Sequence, residues 1–222
     1  MLKIKFLLFL LLFNSVAFST EEINIIKKPI NFNETRQALT LEYLEKHYGI
    51  QQSKPTISPS MVVVHWTVIP TMEQTFDAFD PVTLPSRRKK IKSGGDVNVS
   101  SQFLVDRDGT IYQLMPDNWM ARHTIGLNYY AIGIENVANG TTLPLTEKQI
   151  QANISLIKHL YGKYPIEYVL GHSEYSLFKA TKYWLEKDPD YFTHKTDPDS
   201  KSMDTIRAGL RSLDLKDIKR VH

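Results

Sequence analysis

Three short apolar segments of this chain carry a polar residue that a buried strand would not normally contain. His65 follows Met-Val-Val-Val, Glu135 ends Ile-Gly-Ile-Glu, and His172 follows Val-Leu-Gly, while Lys195 and Asp197 share the turn-like His-Lys-Thr-Asp-Pro. An unpaired polar group in such a segment costs about 1–3 kcal/mol or more, so each needs a partner or a ligand. Two imidazoles and a carboxylate suit a zinc ion with one coordination position open to water. A separate glutamate can then manage that water's proton, and a lysine can stabilise an oxyanion. The set predicts a zinc hydrolase.

The amino terminus predicts an exported protein. Residues 1–5 contain two lysines, residues 6–13 are apolar, and residues 16–20 offer small side chains for cleavage after Ser19. The apolar run is too short to span a bilayer of about 30 Å as a lasting helix, so we expect no stable membrane anchor; a retained anchor is the alternative. We therefore expect residues 1–19 to be a signal peptide and the mature protein to be periplasmic or secreted.

Composition excludes several other classes. With no cysteine in 222 residues, the chain cannot form disulfides, thiolate ligands, a lipoprotein attachment site or a cysteine nucleophile. Without Lys3 and Lys5 of the signal peptide, 25 basic and 24 acidic residues remain, so nothing points to nucleic acid. The one basic run, residues 87–92, predicts a solvated loop, with attraction to an anionic cell wall as the alternative.

The order of apolar patterns predicts an α/β fold, a mixed central β-sheet flanked by helices. We expect strands at 61–65, 102–106, 110–115, 131–137 and 168–170, and helices at 40–47, 72–79, 146–162 and 202–213. An Asp-Gly pair at Gly109 predicts a hairpin between the second and third strands. We expect residues 20–60 to form an N-terminal extension with a short helix after an irregular stretch at 20–36, and residues 61–222 to form the zinc domain. Residues 70–99 are long for a simple connection, and such loops are often functional or mobile.

Six sequence blocks follow one another over about 135 residues. They are Val-Val-Val-His65-Trp-Thr, the segment 101–114, Arg-His123-Thr with Asn128, Ala-Ile-Gly-Ile-Glu135, Gly-His172-Ser and Lys195-Thr-Asp197-Pro. In these blocks and in their order, the chain resembles the family 2 N-acetylmuramoyl-L-alanine amidases, which are related to the peptidoglycan-recognition proteins.

The resemblance implies a zinc (Zn2+) enzyme that hydrolyses the amide bond between N-acetylmuramic acid and L-alanine in peptidoglycan. The implied metal ligands are His65, His172 and Asp197, and the implied catalytic residues are Glu135 for proton transfer and Lys195 for the oxyanion. His123 and Asn128 match family positions near the substrate, so we expect them to be substrate-binding residues.

Each assignment has an alternative when the residues are taken alone. A lone histidine at a strand end is more often structural, Asp-Pro is a common turn dipeptide, and a buried glutamate can simply pair with a basic side chain. Lys195 and His123 can be ordinary surface residues. The chain also departs from the family: residues 176–194 are expanded, and Asp199 follows Pro198 where glycine is usual. The alternative third ligands are His194, Asp199 and Glu174.

Two other functions fit the same sequence. One is a non-catalytic peptidoglycan-binding module on the same fold, and the other is a zinc peptidase that cuts within the stem peptide. Peptidoglycan or muropeptides are the expected partners, and we expect a monomer. The aromatic residues that either line a substrate groove or pack in the core are Trp66, Trp119, Tyr129 and Tyr130.

Overall fold

The computed structural model describes residues 23–86 and 88–220. The predicted signal peptide at 1–19 lies outside these residues, as does Arg87 of the basic run. Within the two described ranges, no helix combines the length and the apolar character needed to cross a membrane.

Six described strands form one mixed sheet. They are β1 (Ile25–Lys27), β2 (Met61–Val64), β3 (Phe103–Val105), β4 (Ile111–Gln113), β5 (Ala131–Asn136) and β6 (Tyr168–Gly171). Their order across the sheet is β1-β4-β3-β5-β2-β6. Strands β3 and β4 are antiparallel, and the other pairings are parallel. The predicted hairpin is therefore confirmed, and Gly109 takes the positive φ of 87° that its turn requires.

Helices connect the strands. They are α1 (Glu34–Tyr43), which continues into a π-helical turn (Leu44–Tyr48), α2 (Met72–Phe79), α3 (Lys89–Lys92), α4 (Glu147–Lys163) and α5 (Ser200–Gly209). Two 3-10 helices span His172–Phe178 and Ile218–Arg220. At the start of α4, the Thr146 hydroxyl accepts from the Gln149 N–H while the Gln149 side chain accepts from the Thr146 N–H. This is the capping box expected from the sequence.

Helices pack on both faces of the sheet. Two adjacent residues of β3 show this, because successive residues of a strand point to opposite sides. Phe103 of β3 belongs to a large apolar cluster that includes Ile157 of α4. Its neighbour Leu104 belongs to a smaller cluster with Met72 of α2. The predicted fold, a mixed sheet flanked by helices, is confirmed.

The segment before β2 is more regular than expected. The expectation of irregular structure at 20–36 is wrong for its described part, because β1 pairs with β4 and α1 already begins at Glu34. Asn33 fixes that start, since its side chain accepts a hydrogen bond from the Arg36 N–H. Arg36 is buried, and its guanidinium donates to the carbonyls of Asn31, Phe79 and Asp80. This segment packs with the same sheet and core as residues 61–222; the predicted domain boundary at residue 60 stays a prediction.

Parallel pairing brings three strand ends to one edge of the sheet. Strand β2 lies between β5 and β6, and Val64 pairs with Ile134 on one side and Gly171 on the other. The residues that follow these three are His65, Glu135 and His172. Ligand sites of α/β sheets form at the carboxyl ends of parallel strands, so this register defines where a site can lie.

Candidate active site

His65, His172 and Asp197 each direct one donor atom toward a common point. His65 Nδ1 lies 2.8 Å from His172 Nδ1, and Asp197 Oδ2 lies 3.2 Å from the second nitrogen and 3.6 Å from the first. Ligand atoms about 2.0–2.1 Å from a tetrahedral zinc ion are about 3.3 Å apart, so this donor set fits such an ion. In the part of the chain that the structure describes, these three residues form the group able to hold a metal ion.

Backbone contacts fix the positions of the three donors. The His65 N–H donates to the Ile134 carbonyl at 2.8 Å, which extends the β2–β5 ladder by one residue. Asn136 donates from its side chain to the His65 carbonyl at 3.0 Å. The Ser173 N–H donates to the Asp197 carbonyl at 2.6 Å, so the chain returns beside His172 after the expanded 176–194 segment.

The alternative third ligands are engaged elsewhere or face solvent. Asp199 caps α5 by accepting from the Ser202 N–H. Glu174 accepts from the Gly171 N–H and pairs with Arg207. His194 is exposed. The geometry therefore favours Asp197 as the third donor.

The site keeps its imidazoles neutral and its aspartate ionised. Burial, followed by repulsion from His172, lowers the pKa of His65 to about 4. Burial also lowers the pKa of His172. Burial opposes ionisation of Asp197, but its contacts with His172 and His65 outweigh this and hold the pKa of the carboxyl well below its usual range. Neutral imidazole and carboxylate are the forms that bind metal ions.

Glu135 lies beside this donor group without belonging to it. Its Oε2 is buried and has no hydrogen-bond partner among the described residues, although part of the side chain faces the cleft. Burial and then the charge of Asp197 raise the pKa of Glu135 to about 8, against the opposite effects of Lys195 and Arg88. A carboxyl group that titrates near neutral pH can both accept and donate a proton during catalysis.

A cleft of about 500 Å³ opens beside these groups. Its lining includes the predicted residues Glu135, His172, Lys195 and Asp197. Part of the segment 81–99 forms one wall of the cleft, to which it contributes Pro81, Pro85, Arg88, Ile91, Asn98 and Val99. The basic run was expected to be a solvated loop, so the sequence reasoning missed Arg88 as a cleft residue. The signal that could have found it is the length of the 70–99 connection.

Buried polar side chains hold this wall in place. Asn98 donates to the carbonyls of Ala78 and Pro81 at 3.0 and 2.8 Å. Arg122 is buried, and its guanidinium donates to the Tyr191 hydroxyl and to the carbonyls of Ile91, Gly95 and Val97. The long connection is thus fixed against the body of the protein.

Val68 is a second cleft residue that the sequence reasoning missed. It has a φ of 57°, a left-handed conformation that is strained for a β-branched residue. Its side chain is 68% exposed and lines the cleft. Its N–H donates to the Ala138 carbonyl at 2.9 Å, which helps to hold the strained backbone. Such strain is concentrated at functional sites.

His123 and Asn128 line the cleft but also make contacts inside the protein. His123 Nδ1 lies 2.9 Å from His65 Nε2, and burial lowers the pKa of His123 well below its usual value. Asn128 is buried; its Oδ1 accepts from the N–H groups of His123 and Thr124, and its Nδ2 donates to the Tyr48 hydroxyl. Substrate contact at both residues stays a prediction.

The four aromatic residues divide between the two expectations. Trp66 lines the cleft. Trp119 packs on Phe32 with ring centroids 5.0 Å apart, and Tyr129 packs on Tyr130 at 5.3 Å. Trp119, Tyr129 and Tyr130 are not among the residues that line the cleft.

Comparison with known proteins agrees with this architecture. The chain shares its fold with N-acetylmuramoyl-L-alanine amidase LysC from Clostridium intestinale URNW, with a TM-score of 0.51 and 22% identity over 88% of this chain and 100% of that one. An endolysin amidase from the same organism, LysCS, gives a TM-score of 0.51 and 20% identity over 89% and 99%. A selenomethionine derivative of AmpD gives a TM-score of 0.50 and 20% identity over 86% and 96%.

A family match covers most of the site. No curated protein sequence matches the chain significantly. Residues 53–200, about two-thirds of the chain, match the Amidase_2 family, described as N-acetylmuramoyl-L-alanine amidase. This range contains His65, Glu135, His172, Lys195 and Asp197. The chain therefore belongs to the N-acetylmuramoyl-L-alanine amidase family and is an enzyme of that class.

Proposed function

We propose that this protein hydrolyses the amide bond between N-acetylmuramic acid and L-alanine in bacterial peptidoglycan, with zinc held by His65, His172 and Asp197. The observation that carries the proposal is the convergence of these three donor atoms beside the buried carboxyl of Glu135. A bound zinc ion would supply Lewis-acid chemistry at this point.

The protein's own residues divide the remaining work. Glu135 accepts a proton from the attacking water and passes it to the L-alanine nitrogen as the carbon–nitrogen bond breaks. Lys195 lines the same cleft, and its charge acts on both Glu135 and His65, which supports its assignment to the oxyanion of the tetrahedral intermediate. Trp66 and Val68 provide apolar surface for the substrate at the cleft wall.

The site of action follows from the sequence of the amino terminus. Export with cleavage after Ser19 would bring the enzyme to peptidoglycan in the periplasm or outside the cell. Amino-terminal sequencing of the protein from the envelope fraction tests this part. A chain that still begins at Met1 and remains in the cytoplasm would contradict it.

Mass analysis of digested sacculi tests the reaction. The zinc-loaded protein should release stem peptides that begin with a free L-alanine amine, and a chelator should stop their release. Glu135→Gln should keep one zinc per chain and lower the rate by roughly 10²–10⁴, the usual contribution of a positioned acid/base group. Cleavage within the stem peptide would instead identify a peptidase. Zinc binding and sacculus binding without any cleavage would identify a binding module.

A further inference from the structure

His123 forms a continuous chain of contacts with His65 and the backbone. His123 Nδ1 lies 2.9 Å from His65 Nε2, and His123 Nε2 lies 3.2 Å from the Ala131 carbonyl oxygen. The two rings are nearly perpendicular, with an interplanar angle of 82° and centroids 5.0 Å apart. The contact therefore runs edge to edge through the nitrogen atoms.

The acceptor at the end of this chain determines where the hydrogens lie. A carbonyl oxygen only accepts, so His123 Nε2 must carry its hydrogen. In the neutral ring, His123 Nδ1 is then an acceptor, and His65 Nε2 must donate to it. The remaining nitrogen of His65, Nδ1, is left with a free lone pair. That nitrogen is the one directed toward His172 and Asp197.

The protein is built to hold the His123 ring in this position. A Cβ atom added to Gly133 would lie 2.9 Å from Cγ and Nδ1 of His123, so the absence of a side chain in β5 makes room for the ring. Asn128 holds the backbone on the other side by accepting from the N–H groups of His123 and Thr124 at 3.0 and 2.8 Å. Ring, strand and loop together fix one orientation.

We propose that His123 is a positioning residue that fixes the tautomer and ring orientation of His65, so that His65 presents a bare Nδ1 to the metal. This role rests on the proposed metal site and differs from the substrate contact expected from the sequence. Hydrogen-bond partners of metal-bound histidines typically change metal affinity by 10–100-fold when they are removed.

The test measures zinc affinity by competition with a chromophoric chelator. His123→Ala should weaken zinc binding by about 10–100-fold. His123→Asn places an acceptor oxygen close to the position of Nδ1, so it should recover most of that loss. Exposed His159 on α4 provides the matched control, and His159→Ala should leave the zinc dissociation constant unchanged. Unchanged zinc affinity in His123→Ala would overturn the proposal, and a raised KM in the same variant would point to substrate contact instead.

A second variant tests the packing of the His123 ring against Gly133. Gly133→Ala should displace the His123 ring and weaken zinc binding, and the double variant with His123→Ala should be no weaker than the worse single variant. Additive losses would show that Gly133 acts independently of His123 and would overturn this argument. In proton NMR of the zinc-loaded protein, a slowly exchanging imidazole N–H resonance of His65 should be present in wild type and lost in His123→Ala. Because affinity and spectra need no substrate, they stand even if no amidase activity is found.

Discussion

The stability of the metal-free protein should depend on pH through Glu135, and replacing this residue with glutamine should remove that dependence. Burial raises the pKa of the carboxyl from 4.5 to about 8 in the folded protein. The folded state therefore holds the proton more tightly than the unfolded chain. The contribution of this bound proton to the stability of the folded state is complete below pH 4.5 and is lost as the pH rises toward 8.

The magnitude follows from the same two values. At about 1.4 kcal/mol per pH unit, the free energy of unfolding can fall by at most about 5 kcal/mol between pH 4.5 and 8. Part of the side chain faces the cleft, where solvent screens the charge, so we expect roughly 2 kcal/mol. Glutamine has the same shape and no charge. The free energy of unfolding of Glu135→Gln, relative to wild type, should therefore rise by roughly 2 kcal/mol from pH 5 to pH 8.

Urea denaturation in the presence of a chelator measures this difference. Both proteins retain His65, His172 and Asp197, whose titrations are then common to the two curves. Exposed Glu42 on α1 supplies the control, because Glu42→Gln retains Glu135 and its free energy of unfolding should fall with pH in the same way as that of wild type. If the difference between Glu135→Gln and wild type stays constant within about 0.5 kcal/mol from pH 5 to 8, the buried carboxyl does not titrate as argued.

Three further predictions concern the backbone, the cleft wall and the metal. Val68→Gly should relieve the backbone strain at φ 57° and raise the free energy of unfolding by about 1 kcal/mol, whereas Val68→Ala should not. Equal free energies of unfolding for the two variants, measured by thermal unfolding, would contradict the strain. Arg122→Met removes the buried donors to three carbonyls and should lower the free energy of unfolding by about 3–5 kcal/mol. Amide hydrogen exchange should increase first at residues 91–97. An equal increase along the whole chain would contradict the role of Arg122 as a local anchor. Free zinc at about 100 times its dissociation constant should stabilise the protein by about 2.7 kcal/mol, and His172→Ala should lose this response in calorimetry.

The sequence alone predicted those features that local pattern and chemistry determine. The β-branched run before His65, the Asp-Gly hairpin and the Thr146 capping box each depend on residues close together in the chain, and each is present. The start of α1 was placed too late, because Arg36 is polar and its burial depends on carbonyls of residues 31, 79 and 80. Local polarity could not reveal that distant partner.

The site itself shows the same division. The residue types of the metal and proton-transfer groups could be read from the sequence, because imidazole and carboxylate in apolar segments need a ligand or a partner. That Asp197 meets His172 and His65, while Asp199 caps a helix, was decided by the path of the expanded 176–194 segment. The contact of His123 with His65 and the strain at Val68 were also decided only in three dimensions. Chemistry is a property of the side chain and can be read locally, but hydrogen-bond partners, burial and backbone angles arise when distant segments pack together.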